Sequence, residues 1–188
     1  DGHSGNRYNR CLSREQDCKA RMHTLVSFAG LPGVGKTTIA RRLARQQGIP
    51  YLRVDEIEAV LMADAPGQDI GPQGFHIAAA LAVSNLTLGL SAIVDCVNPW
   101  QLTRDIFTEA ARTAGSAFFG VELYCSDEAE HRRRVETRQA DIPGKSLPDW
   151  QKVMARDYHP WAGADLRIDT ATCTAEQAAD EIIRALSL

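Results

Sequence analysis

The chain has 188 residues, of which 44% are hydrophobic and 24% charged, and its formal net charge is −3. This length and composition are typical of one globular domain that buries a substantial core. The small negative charge argues against a nucleic-acid-binding surface, and no apolar run is long enough to span a membrane. The N-terminus lacks the apolar segment of a signal peptide. We therefore expect a cytoplasmic protein, monomeric or homodimeric, with neither a membrane nor a nucleic-acid partner.

The first 22 residues are polar and weakly patterned, with a possible short helix over residues 12–21. We expect an N-terminal extension over residues 1–22, followed by one domain over residues 23–188. The five cysteines are odd in number and match no zinc-ligand spacing. We expect free thiols in a reducing compartment, and the alternatives for Cys11 and Cys18 are a local disulfide or an adventitious metal.

The most specific motif is the glycine-rich run GLPGVGKTT at residues 30–38. Its spacing of Gly, four residues and Gly-Lys-Thr is that of the phosphate-binding loop. A buried strand is predicted over residues 24–29, and a helix over residues 38–47 that Gly48 ends. Because strand, loop and helix are the setting that this loop requires, we predict a nucleotide phosphate site rather than a chance glycine-rich turn.

Each residue type in the loop has a chemical role in holding phosphate. Glycines allow positive φ and close approach of the backbone, so that successive N–H groups point inward. The helix that begins near Lys36 adds its positive end. Lys36 is predicted to reach the β- and γ-phosphates, Thr37 to ligate Mg²⁺ and Thr38 to lie near the α-phosphate. The predicted nucleotide-binding residues of the loop are Gly30, Gly33, Val34, Gly35, Lys36, Thr37 and Thr38.

Two later strands each end in a carboxylate, at Asp55 and Asp95. They are predicted over residues 51–55 and 91–95, and ligands bind outside the carboxyl ends of strands in an open α/β sheet. Asp95 follows an apolar run, as a Walker B acid does, and would hold Mg²⁺ directly or through water. Asp55 is either a base or orienter for an acceptor hydroxyl, or only the cap of a helix over residues 56–63.

The rest of the chain alternates helices and strands. A loop over residues 64–74 precedes a helix over residues 75–88, and a second helix covers residues 100–113. The fourth strand, residues 117–124, leads into a helix that runs through residue 138. A helix over residues 149–158, a fifth strand over 166–169 and a closing helix over 175–186 complete the pattern. Five strands that alternate with helices predict a parallel, doubly wound sheet.

Several polar residues near these elements have two open interpretations. Arg134 and Arg138 are four apart, so one helical face would carry both, either as surface charges or as polyphosphate ligands. Asn98 and Arg104 could contact an acceptor substrate or could be capping or surface residues. Residues 139–148 contain Pro143 and Gly144 and are predicted to form a lid.

With these residues placed, the chain resembles the small P-loop kinases. It looks closest to bacterial "AAA family ATPase" proteins that are similar to adenylylsulfate kinase and zeta-toxin-like kinases. The resemblance implies a three-layer P-loop NTPase fold with a five-stranded parallel sheet ordered 2-3-1-4-5, helices on both faces and a lid after strand four. The matching stretches are residues 30–38, 54–55, 93–99, 103–104, 121–123, 131–138, 141–144 and 168–171.

The resemblance also implies an activity, which is transfer of the γ-phosphate of ATP·Mg²⁺ to a hydroxyl of a small-molecule acceptor. In such kinases an Arg-x-x-x-Arg pair lies on the helix before the lid, and a turn after strand five packs on adenine. The implied catalytic residues are Lys36, Asp55, Arg134 and Arg138, the metal ligands are Thr37 and Asp95, and the adenine turn contains Thr170.

One position departs from the adenylylsulfate kinase pattern. Those enzymes carry an Arg three residues after the strand-two Asp, where it helps to hold an anionic acceptor, and here this residue is Glu58. A neutral or cationic hydroxyl compound is then at least as plausible an acceptor, unless Glu58 only favours the helix N-terminus. The alternatives to a small-molecule kinase are an ATP-hydrolysing switch protein without a small acceptor, and an adenylylsulfate or polynucleotide kinase.

Overall fold

The computed structural model describes residues 23–186. The predicted extension over residues 1–22, its helix and the pairing of Cys11 with Cys18 lie outside the described residues. In chain order the elements are β1 (Thr24–Ala29), α1 (Lys36–Gln47), β2 (Tyr51–Arg53), α2 (Val54–Asp64), α3 (Gln73–Thr87), β3 (Ala92–Asp95), α4 (Gln101–Thr113), β4 (Ala117–Tyr124), α5 (Glu128–Thr137), α6 (Trp150–Met154), β5 (Leu166–Asp169) and α7 (Ala175–Leu186).

The five strands form one parallel sheet with the order β2-β3-β1-β4-β5. This confirms the predicted fold class and strand order. β1 is central, and its Ser27 pairs with Val94 on one side and Gly120 on the other. Because all strands run the same way, their carboxyl ends meet at one edge, where the residues after β1, β2 and β3 converge.

Two apolar clusters cover the two faces of the sheet. One contains Ile39 and Leu43 of α1 together with Ile182 of α7. The other contains Ala78 of α3 and Phe107 of α4. Helices therefore pack on both faces and make three layers, the arrangement that lets a parallel sheet bury both of its sides. Within residues 23–186, no helix combines the length and the apolar character needed to cross a membrane.

The second strand is shorter than the sequence pattern predicts, which moves Asp55 from a strand into a helix. Arg53 pairs with Asp95, the last residue of β3, so Val54 has no neighbouring strand residue to bond with. The chain instead begins α2 at Val54, and Asp55 lies in its first turn. Arg53 occupies the cap position and no side chain caps this helix, so the interpretation of Asp55 as the cap is wrong.

Two predicted helices also end early. α5 stops at Thr137, and Arg138 is extended with a ψ of 147°, so Arg134 and Arg138 do not share a helical face. α6 stops at Met154 because the chain beyond it bonds to other elements. The Tyr158 hydroxyl and the Trp161 amide both donate to the buried Glu122 carboxylate of β4, each at 2.7 Å. These hydrogen bonds hold the chain that follows α6 against β4.

Candidate nucleotide and acceptor site

A cleft of about 560 Å³ opens at the carboxyl edge of the sheet, between the glycine-rich loop, α5 and the lid, residues 139–148. It brings together almost all of the residues that the sequence singles out. The predicted site residues that line it are Gly33, Val34, Gly35, Lys36, Thr37, Thr38, Asp55, Asp95, Arg134, Arg138 and Thr170. Gly30 does not line the cleft, and its carbonyl instead accepts a hydrogen bond from Lys36.

The glycines of the loop are required by its conformation and its close packing. Gly30 and Gly33 have φ angles of 140° and 90°, where other residues are strained. A Cβ on Gly33 would lie 2.5 Å from a methyl group of Val135, and one on Gly30 would lie 2.3 Å from the carbonyl oxygen of Leu123. The loop therefore packs directly against β4 and α5. The loop leads directly into the first turn of α1, where the N–H groups have no intrahelical hydrogen-bond partner.

Lys36 is buried beneath this loop. Its ammonium donates to the carbonyl oxygens of Gly30, at 2.8 Å, and Leu31, at 2.9 Å. Burial lowers the pKa of Lys36 from 10.5 to about 8, although the nearby Asp95 carboxylate acts to raise it. Because both of these hydrogen-bond acceptors are neutral, an anionic ligand at the loop would offset the cost of burying the charge.

Three hydroxyl and carboxylate groups meet where the loop ends. The Thr37 hydroxyl donates to Oδ2 of Asp95 at 2.7 Å, and the Tyr51 hydroxyl of β2 donates to the same oxygen, also at 2.7 Å. Asp95 is 2% exposed, and Arg53 Nε lies 4.0 Å from the shared oxygen. Hydroxyl and carboxylate oxygens are ligands that suit Mg²⁺, which takes few protein ligands and completes its shell with phosphates and water. Thr37 and Asp95 therefore fit the metal that the loop implies.

The sequence pattern does not reveal the hydrogen bond from Tyr51 to Asp95. This hydrogen bond leads to a first prediction. Replacing Tyr51 with Phe removes one of two hydrogen bonds that orient Asp95 without removing a cleft-lining carboxylate. We expect Tyr51→Phe to weaken apparent Mg²⁺ affinity roughly tenfold, the lower end of such outer-shell effects. The measurement is a Mg²⁺ titration of fluorescent ATP-analogue binding. Tyr124→Phe, on an exposed tyrosine of β4, is the matched control. An unchanged Mg²⁺ midpoint for Tyr51→Phe would contradict the assignment.

The opposite end of the cleft contains Asp55 and the lid. The ammonium of Lys145 donates to Oδ1 of Asp55 and lies 3.5 Å from Oε2 of Glu58. Burial raises the pKa of Glu58, Lys145 acts to lower it, and the Asp55 carboxylate adds to the rise. Glu58, which departs from the adenylylsulfate kinase pattern, thus contacts Lys145 of the lid beside Asp55, the predicted base.

The two predicted arginines have different environments. Arg134 donates to Glu130 at 2.7 Å and, through its other nitrogens, to the hydroxyl and carbonyl of Thr170, both at 3.0 Å. Arg138 donates to the carbonyl of Pro148 at 3.4 Å, and its Nε has no hydrogen-bond partner among the described residues. Burial lowers the pKa of Arg138. Arg134 is therefore held by a carboxylate, whereas Arg138 retains donor capacity toward the cleft.

Asn98 and Arg104 have structural roles in the described chain. Arg104 is 3% exposed and donates to the backbone carbonyls of Asn98, Pro99 and His159, which ties the loop after β3 to the segment after α6. Asn98 is fully buried and donates to the hydroxyl of Ser27 at 3.2 Å. Neither residue lines the cleft.

Further side chains in or beside the cleft have partners that are distant in sequence. Arg53 donates to both carboxylate oxygens of Asp141 in the lid, at 2.6 and 3.1 Å, and Arg41 lies 3.0 Å from the same carboxylate. His131 of α5 lies with its Nε2 2.9 Å from the carbonyl oxygen of Pro32, and burial lowers its pKa. No local motif in the sequence distinguishes these residues from surface charges.

Comparison with known proteins finds similar chains that are kinases by name. The shikimate kinase of Rhodopseudomonas palustris is 28% identical over 171 residues, which cover 86% of this chain and 80% of that protein. The APS kinase of Mycobacterium tuberculosis, solved with AMPPNP and APS, superposes with a TM-score of 0.65 at 21% identity, over 89% of this chain and 99% of that one.

Two further structures extend the likeness in fold. A putative kinase from Chloroflexus aurantiacus superposes with a TM-score of 0.70 at 20% identity, covering 89% of this chain and 98% of that one. A gluconokinase from Sinorhizobium meliloti gives a TM-score of 0.62 at 18% identity, with coverages of 89% and 93%. The profile of the family described as "AAA domain" (AAA_33) matches residues 25–156, which is more than half of the sequence. The chain therefore belongs to the AAA_33 family of AAA domains.

Proposed function

We propose that this protein is an ATP-dependent kinase that transfers the γ-phosphate of ATP to a hydroxyl group of a small molecule. One observation carries the proposal: a single cleft contains the phosphate-binding loop with Lys36 and Thr37, and also the separate carboxylate of Asp55. A phosphate-binding loop alone would suit any nucleotide-binding protein. A second carboxylate, bonded neither to Thr37 nor to Tyr51, supplies a group for an acceptor hydroxyl.

In this proposal each end of the cleft has its own task. The loop amides and Lys36 bind the phosphates. Thr37 and Asp95 would hold Mg²⁺, which would supply positive charge against the phosphates. As the oxygen of the acceptor hydroxyl forms a bond to the γ-phosphorus, its proton passes to Asp55. The bond from that phosphorus to the bridging oxygen breaks, and the electron pair leaves with ADP. Arg138 stabilises the charge of the transferring group, and Arg134 holds the turn of Thr170 beside the nucleotide and adds positive charge there. The lid excludes water.

The relatives support the activity and leave the acceptor open. The curated relative is a kinase by name, and so are the APS kinase and the gluconokinase, whose low identities bear on the fold alone. Because these names indicate different acceptors, the acceptor has to be found by experiment.

Cys96, Cys125 and Cys173 are free cysteines, which favours a reducing compartment such as the cytoplasm. The monomeric or homodimeric state stays a prediction.

The test is a thermal-shift screen in the presence of Mg²⁺ and a non-hydrolysable ATP analogue. Sugars, nucleosides, aminoglycosides, shikimate, gluconate and adenylylsulfate are added singly, with and without the analogue. We expect one acceptor class to raise Tm only when the analogue is bound, and ATP then to transfer phosphate to it. Binding of the analogue with hydrolysis but no transfer to any hydroxyl compound would contradict the proposal and favour a switch protein.

Lys36 gives the proposed function a defined pH dependence. Its protonated form binds phosphate, so affinity for the ATP analogue is full below about pH 8 and falls above it, by about tenfold per pH unit. Isothermal titration across this pH range measures the affinity for the ATP analogue. We expect Lys36→Met to lack the fall in affinity above pH 8. A wild-type affinity as insensitive to pH as that of Lys36→Met would contradict the role of Lys36.

The same pKa sets the sign of the effect on folding. Because folding lowers the pKa of Lys36, the folded protein binds fewer protons than the unfolded chain between pH 8 and 10.5. Lys36 therefore raises the stability of the unliganded protein as pH increases through this window, and the gain is lost as pH falls through 8. Below that pH, phosphate binding offsets the cost of the buried charge.

A further inference from the structure

Three residues of the lid make polar contacts with the rest of the cleft. Lys145 pairs with Asp55 of α2, Asp141 forms a two-bond pair with Arg53 of β2, and the carbonyl of Pro148 accepts from Arg138. The first contact differs in kind from the other two, because it engages the group proposed to act on the acceptor. Lys145 and Asp55 are separated by 90 residues in sequence, so only the folded chain brings them together.

The ammonium of Lys145 engages one oxygen of the carboxylate that is proposed to act on the acceptor hydroxyl. It donates to Oδ1 of Asp55, and its side chain is 27% exposed while that of Asp55 is 39% exposed. A carboxylate bonded to an ammonium has one oxygen occupied and its negative charge balanced. A hydroxyl or a water molecule therefore has to displace the ammonium before it can donate to that oxygen.

We propose that Lys145 is a positioning residue that decides which nucleophile Asp55 serves: it holds Asp55 in an ion pair while the acceptor is absent, and an acceptor hydroxyl replaces it. This inference rests on the proposed function. Its consequence is protection of ATP from hydrolysis. Glu58, 3.5 Å from the same ammonium, provides a second carboxylate onto which Lys145 moves without losing a counter-charge.

The reaction that Lys145 suppresses is the attack of water on bound ATP. In that step the water oxygen forms a bond to the γ-phosphorus, and the bond from that phosphorus to the bridging oxygen of ADP breaks. The electron pair leaves with ADP, and the water proton passes to Asp55. In the reaction with the acceptor the same bonds form and break, with the acceptor oxygen in place of the water oxygen. Both need Asp55 to be released from Lys145, but only an acceptor contributes binding energy toward that release.

The test measures ATP hydrolysis without any acceptor. We expect Lys145→Met to raise the rate of phosphate release about fivefold, the size expected for loss of a partly exposed ion pair. Lys145→Arg keeps the charge and is expected to restore suppression. In a background that carries Asp55→Asn, the Lys145→Met substitution is expected to have no effect, because the base has already been removed. A structural role of Lys145 that did not act through its ion pair with Asp55 would produce neither the rescue nor this dependence on Asp55.

Lys152→Met is the matched control, since Lys152 of α6 is 73% exposed and pairs with Asp149 at 3.4 Å, outside the cleft. Hydrogen exchange of the unliganded protein supplies a readout that needs no ATP. Amides of the lid are expected to exchange faster in Lys145→Met than in wild type or Lys152→Met.

The outcomes separate this inference from the proposed function. If Lys145→Met binds the ATP analogue but releases phosphate no faster than wild type, the inference is overturned and the kinase proposal stands. A slower release would also overturn it, because Lys145 would then stabilise the transferring phosphate rather than restrain Asp55. If the wild-type protein fails to bind the ATP analogue with Mg²⁺, the proposed function fails, whatever the exchange of the lid amides shows.

Discussion

We expect Lys36→Ala to lower phosphoryl transfer by roughly 10³-fold, at the upper end of effects seen when one stabilising donor is removed from a transition state. The ammonium of Lys36 is the charge that the glycine-rich loop encloses, and its bonds to Gly30 and Leu31 direct it to one position. The loss therefore affects both binding of the nucleotide and the charged transition state. The measurements are the transfer rate to the acceptor that the screen identifies and the affinity for a fluorescent ATP analogue.

Position matters for Lys36 as much as charge does. Lys36→Arg keeps a cation, but the larger guanidinium does not fit a site that is enclosed by two carbonyl oxygens, so we expect it to remain strongly impaired. Lys152→Ala, on an exposed lysine of α6, controls for a general loss of positive charge. A Lys36→Ala variant with most of the wild-type transfer rate would contradict the proposed phosphate site.

The second large effect is expected for Asp55→Asn, which should lower transfer roughly 10²- to 10⁴-fold, the range for loss of a general base. Asparagine has nearly the same shape but does not accept the acceptor proton. Since Asp55 is bonded to Lys145 rather than to Thr37 or Asp95, binding of the ATP analogue with Mg²⁺ should change little. The two measurements together separate the acceptor end of the cleft from the nucleotide end.

Glu56→Gln is the matched control for Asp55→Asn. Glu56 is the next residue in the first turn of α2, its side chain is 48% exposed, and it pairs with Arg41 at 3.2 Å. The control therefore removes the same charge from the same helix start, and we expect it to keep most of the activity. Equal losses in both variants would indicate a charge effect at the helix start, and would count against a specific role of Asp55.

The nucleotide end of the cleft could be predicted from the sequence because its residues are close together in the chain. The loop over residues 30–38 needs glycines at fixed spacing for its φ angles, and such a requirement is written in consecutive residues. β1, β4, β5 and α7 have the predicted bounds, because their apolar residues recur at the spacing of a strand or of a helix. Asp95 follows from its place directly after an apolar strand.

The acceptor end was predicted less well because its residues come from separate parts of the chain. β2 ends at Arg53 only because its neighbour β3 ends opposite it, and this moved Asp55 into α2. The helix that was expected to carry both Arg134 and Arg138 ends between them. The pairs of Lys145 with Asp55 and of Arg53 with Asp141 span 90 and 88 residues.

The fold class, the strand order and the glycine-rich loop could be read from the residues and from the family resemblance. So could the two carboxylates, Asp55 after the second strand and Asp95 at the end of the third. What each carboxylate contacts depends on the folded chain: Tyr51 and Thr37 at Asp95, and Lys145 of the lid at Asp55. Periodic patterns in consecutive residues indicate most of the backbone conformation, whereas hydrogen bonds and ion pairs form between whichever side chains the fold brings within a few ångströms.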